Sequence, residues 1–106
     1  MDQITWREPW QSVDQGSRFV QELQRELCPV HPLNGQTVVI VGRRRDRDDF
    51  LFRVESQPPR YAVVHLTWRV ETDPEFPWTQ FYETVAEFQE RMYRDHQFWQ
   101  DSGNRP

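Results

Sequence analysis

Apolar residues change their period along this chain, and each change marks an element. From about Ser12 to Leu27, Phe19, Val20, Leu23 and Leu27 recur at helical spacing, with Arg18, Gln21, Glu22, Gln24, Arg25 and Glu26 filling the rest of the circumference. This predicts an amphipathic helix. Ser12-x-x-Gln15 matches a capping box, Asp14 and Ser17 are alternative caps beside Gly16, and Cys28-Pro29 ends the segment. Upstream, Ile4, Trp6 and Trp10 are too apolar for a free tail, so residues 1–11 are expected to pack on the domain.

The period then becomes two. Asn34-Gly35 signals a turn, Thr37 to Val41 is a β-branched run, and Phe50, Phe52 and Val54 share one face of a second strand. Charged residues from Arg43 to Asp49 form the predicted hairpin tip. After Gln57-Pro58-Pro59-Arg60 comes a third strand, Tyr61 to Val70. Ala62, Val64, Leu66, Trp68 and Val70 form its predicted core face, and Tyr61, Val63, His65, Thr67 and Arg69 an open face. Short links favour antiparallel pairing.

Past Pro74 and Pro77, helical spacing returns from about Thr79 to Trp99. Phe81, Val85, Phe88, Met92 and Trp99 form a stripe, flanked by Tyr82 and Phe98. Glu83, Glu87 and Glu90 lie early and Arg91, Arg94 and His96 late, as the helix dipole prefers. The predicted fold class is therefore α+β: an α-β-β-β-α order, with a three-stranded antiparallel meander and both helices packed on one face. Residues 1–106 form one expected domain, with 101–106 a frayed tail.

Composition narrows the classes of function. Leu, Ile, Val and Phe supply only 25 of 106 residues, but five Trp, three Tyr and seven Phe restore enough apolar area for a core. The net charge of −4 argues against nucleic-acid or anionic-membrane partners and suits a basic protein partner. All thirteen cationic side chains are Arg; scattered placement favours a genomic bias over selection for guanidinium contacts. Cys28 is the single cysteine, so no intrachain disulfide is available. No apolar run has transmembrane length and Met1-Asp2-Gln3 is unlike a signal peptide, so the expected location is cytoplasmic.

Candidate chemistry is sparse. Cys28-x-x-His31 has ligand-like spacing but lacks third and fourth ligands nearby, which favours a buried structural cysteine. The Asp46, Asp48 and Asp49 group is interleaved with Arg43, Arg44, Arg45 and Arg47, as solvated hairpin tips are. Glu71, Asp73 and Glu75 lack the pattern of a calcium loop. No phosphate loop, nucleophile elbow or dinucleotide fingerprint is present. The sequence implies no catalytic residue, no metal and no cofactor. His65, between polar neighbours on the open face, is the best candidate for ligand contact.

The segment Tyr61-Ala62-Val63-Val64-His65-Leu66-Thr67-Trp68, followed by Asp73-Pro74, Pro77-Trp78-Thr79 and a helix bearing Phe88, Met92, Asp95 and His96, resembles a group of small uncharacterised bacterial proteins. The resemblance spans the C-terminal half and implies no activity. Size and acidity add an analogy to the immunity partners of bacterial toxins. The expected function is non-catalytic protein binding, in the form of an inhibitor or immunity-type protein for a basic partner, through His65, Thr67, Arg69, Phe76 and Trp78. A small-molecule binder or minor enzyme, using His65 with Tyr61 and Arg53, is the competing class. Homo-oligomeric assembly through the open face or last helix is the third.

Overall fold

A computed structural model describes residues 4–103. It is α+β, with two helices and a five-stranded antiparallel sheet in the order β1-β2-β3-β4-β5. The strands are β1 (Trp10–Ser12), β2 (Val38–Arg44), β3 (Asp49–Val54), β4 (Arg60–His65) and β5 (Trp78–Tyr82); the helices are α1 (Ser17–Glu26) and α2 (Val85–Gly103). The three predicted strands form the centre of the sheet. Two more were missed, one at each edge.

Each omission has a physical cause. Trp10–Ser12 pairs with Gly42–Arg44, so the apolar N-terminal segment contributes a strand as well as packing. The last helix is expected from Thr79, but Trp78–Tyr82 is a strand whose side chains alternate between faces: Phe81 joins the core beneath α1 and Tyr82 the core beneath α2. The helix starts where Thr84 Oγ1 accepts the Glu87 amide at 3.2 Å, while Glu87 Oε2 accepts the Glu83 amide at 2.8 Å. These bonds satisfy donors that a helix N-terminus leaves unpaired. At α1, Gly16 occupies the cap position without a side-chain bond, rather than Ser12, Asp14 or Ser17. Asp101 to Gly103 belong to α2, whereas the rest of the predicted tail lies outside the described residues.

The helices lie on opposite faces of the sheet, which corrects the expectation that both share one. Phe19 and Leu23 of α1 pack with Phe50, Phe52, Val54, Ala62 and Val64. Phe88 and Met92 of α2 pack with Trp10, Leu51, Tyr61 and Val63. The physical reason is visible in the strands. Phe50-Leu51-Phe52 and Ala62-Val63-Val64 are unbroken apolar runs, which strands buried on both faces require. Each fully buried Phe or Leu contributes about 1.5–3 kcal/mol, so an open face there would forfeit most of one core layer.

A bulge in β2 adjusts the two layers. Ile40 pairs with Phe52 and Gly42 with Leu51, leaving Val41 as the extra residue. Gly42 then faces Trp6, and a Cβ at that position would collide with the indole six-membered ring and approach the Gln11 carbonyl oxygen to 2.8 Å. Ile4 and Trp6 pack at the margin of the second core. The backbone of Thr5 exchanges two bonds with the Gln89 amide, at 3.0 and 2.8 Å. Among the described residues no helix is long and apolar enough to cross a membrane.

Candidate functional site

β4 stops at His65 rather than running to Val70. Trp68 takes a positive φ of 61°, unusual for a bulky residue, and the backbone donors of the following segment turn toward α1. Glu26, at the end of that helix, is 0% exposed. Its Oε1 accepts the Thr67 amide at 2.8 Å and the Thr67 hydroxyl at 3.0 Å, and its Oε2 accepts the Trp68 amide at 2.8 Å. The Glu26 carbonyl also accepts the Glu71 amide at 3.3 Å. One buried carboxyl thus replaces the ladder bonds that would have continued the strand.

Burial first, and then a hydrogen bond with Glu22, push the Glu26 pKa up to about 7 against the lowering effect of the Thr67 and Trp68 donors. Burial would also raise Glu22, but its bonds to Arg25 at 2.8 and 3.0 Å, the hydrogen bond with Glu26 and the Arg25 charge together outweigh this and hold its pKa below the ordinary value. The two carboxyls therefore divide their roles, one ionised and paired, the other holding a proton well above the usual range.

The far end of the same loop is held by His31. Its Nδ1 accepts the Leu33 amide at 3.0 Å, so the hydrogen sits on Nε2, which donates to the Pro77 carbonyl at 2.9 Å. Both ring nitrogens are occupied, so the Cys28-x-x-His31 spacing serves packing and loop anchorage. Between the two anchors, Asp73 turns the chain by accepting the Glu75 amide at its side chain and the Phe76 amide at its carbonyl, at 2.9 and 3.0 Å.

The anchored loop presents large apolar side chains to solvent. Trp68, Val70, Phe76 and Trp78 are between 43% and 66% exposed. Phe76 and Trp78, with His31, Pro32, Pro74 and Phe81, line a hollow of about 410 Å³. Within residues 66–78 the charges are Arg69 against Glu71, Asp73 and Glu75, so the apolar row has an acidic setting.

The residues singled out from the sequence fall into three places. Phe76 lies on the loop and Trp78 at its junction with β5, and both are exposed. Thr67 and Arg69 lie there too, but Thr67 is spent on Glu26 and Arg69 Nε stands 3.7 Å from Glu71. Tyr61 is buried beneath α2 and corrects the expectation of an open face at that position. Arg53, its register partner, bonds Glu55 through Nε and Nη2 at 2.9 and 2.7 Å. His65 stands apart, at the uncovered corner of the α2 face, with Nδ1 2.8 Å from Asp49 Oδ1.

Sequence reasoning missed Glu26 and His31 as the residues that shape the site. Glu26 looked like part of the polar circumference of α1, and only its position one turn beyond Leu23, itself a core residue, hinted otherwise. Comparison with protein-family models, curated proteins and solved structures finds no match to this chain.

Proposed function

We propose that this chain is a non-catalytic protein-binding module whose contact surface is the loop of residues 66–78, and that its partner is a basic protein. The observation that carries this reading is the combination of exposed apolar side chains with a fixed backbone. Trp68, Val70, Phe76 and Trp78 face solvent on a segment tied at one end by Glu26 and at the other by His31. Aromatic anchors surrounded by polar groups dominate the energy of protein interfaces, and ordering them before contact removes part of the entropic cost of association. The three carboxylates of the loop and the chain's net charge of −4 favour a cationic partner and would speed its approach at low salt. An inhibitor that covers a basic functional surface, as immunity-type proteins do, is the form of this function most consistent with such a loop.

The test is affinity capture with the full chain, from cells that express it, run in parallel with the Phe76→Ala/Trp78→Ala variant. A basic protein retained by the wild type, lost from the variant and eluted by added salt supports the reading. Equal retention by both proteins refutes it.

A further inference from the structure

A second site sits beside the loop and has different chemistry. Asp49 at the start of β3, His65 at the end of β4 and Trp78 at the start of β5 are successive register partners. They stand in one row across three strands on the α2 face. Phe88 and Met92 of α2 cover Leu51, Tyr61 and Val63 farther along those strands, and the row is left at an uncovered corner. Arg91 of α2 and Arg47 of the hairpin tip complete the walls of a hollow of about 360 Å³.

Three features of this hollow point to a ligand. The first is the orientation of His65. Its Nδ1–H donates to Asp49, whose side chain is 7% exposed, while the imidazole itself is 48% exposed. Nε2 is therefore directed away from the carboxylate by a buried support, an arrangement that fixes which nitrogen meets an incoming group. The second is charge. Asp49 already faces His65 and, at 3.8 Å, Arg91. Arg91 is in turn held by Asp95 at 3.2 Å and the Tyr82 hydroxyl at 3.3 Å. Arg47 is half exposed and stands 4.0 Å from Asp46, at the limit of an ion pair. Of the lining residues, Arg91 is engaged by Asp49 and Asp95, which leaves Arg47 as the less committed guanidinium at the hollow. The third is the exposed Trp78 indole, which supplies an apolar wall.

We infer that this corner binds a small aromatic oxyanion, a ring carrying a phosphate or carboxylate group. The ring packs on Trp78, and the oxyanion lies between the Arg47 guanidinium and His65 Nε2. In the complex His65 donates from both nitrogens, forward to the ligand and back to Asp49. The other charged groups facing it are Arg47 from the tip and Arg91 from α2. This inference does not rest on the protein-binding role of the loop. Trp78 is common to both surfaces, so the discriminating variants are Arg47→Gln and His65→Asn, which leave the apolar residues of the loop in place.

The experiment is calorimetric titration of the full chain with phenyl phosphate and benzoate, alongside inorganic phosphate and phenol as separated halves. Phenyl phosphate or benzoate is expected to saturate one site with a Kd of about 1 mM or below, with each half about tenfold weaker or more. The better of the two aromatic anions identifies the oxyanion. Arg47→Gln and His65→Asn are each expected to weaken binding about tenfold, with thermal midpoints unchanged. Absence of saturation, inorganic phosphate binding as tightly as phenyl phosphate, or unaltered affinity in both variants would overturn the inference.

Discussion

Replacing Glu26 by Gln tests the anchor of the loop and the unusual ionisation behind it. A carboxyl moved from 4.5 to about 7 holds its proton in the folded chain at pH values where the unfolded chain has released it. Stability from this group is therefore complete at or below pH 4.5 and falls as pH rises through 7. At about 1.4 kcal/mol per tenfold change in proton affinity, the loss across that window is about 3 kcal/mol. Glu22 and Asp46, whose pKa values are lowered, act in the opposite sense and below that window. Glu26→Gln removes the titration. It also places an amide where two separate oxygens now accept from Thr67 and Trp68, so one donor loses its acceptor at a cost of about 1–3 kcal/mol. The assay is urea unfolding, followed by tryptophan fluorescence, of both proteins from pH 4.5 to about 8. Histidine titrations are common to the two, so their difference isolates Glu26. The wild type is expected to lose its advantage as pH rises, by about 3 kcal/mol in total. Parallel curves would refute the claim that folding raises the pKa of this carboxyl.

Two further substitutions probe the frame around the loop. His31→Ala removes the acceptor of the Leu33 amide and the donor to Pro77. It should lower stability by about 2 kcal/mol and speed amide exchange through residues 76–79, measured by hydrogen exchange. Gly42→Ala brings a methyl group against Trp6 and the Gln11 carbonyl, and should cost about 1–3 kcal/mol in chemical denaturation with little change in the loop.

The central strands and both helices were legible because their periods are distinct and prolines, or the charged stretch between β2 and β3, separate them. What escaped was decided by contacts distant in sequence. The alternation from Tyr61 to Val70 reads as one strand, yet it ends at His65 because Glu26, about forty residues earlier, takes the amides of Thr67 and Trp68. The alternation in Trp78-Thr79-Gln80-Phe81-Tyr82 was masked by the helical spacing that Phe81 and Tyr82 share with Val85 and Phe88. Thr84-x-x-Glu87, with the form of a capping box, was the available sign that the helix begins later. The two-sided burial of β3 and β4 was also available, in the apolar residues Leu51 and Val63 between inward-facing neighbours. Phe76, between Pro74 and Pro77, and Trp78, just after Pro77, are legible as segment-boundary aromatics. The anchoring role of His31 is not, since nothing local shows that Pro77 returns to it.

The most direct test of the central claim is a hydrogen-exchange footprint of the full chain, alone and bound to the basic protein it captures. Protection on binding is expected in residues 66–78, with the β2–β3 hairpin tip, residues 45–48, unchanged. Protection confined to the hairpin tip or to the exposed face of α2, with the loop exchanging as in the free chain, would contradict the account.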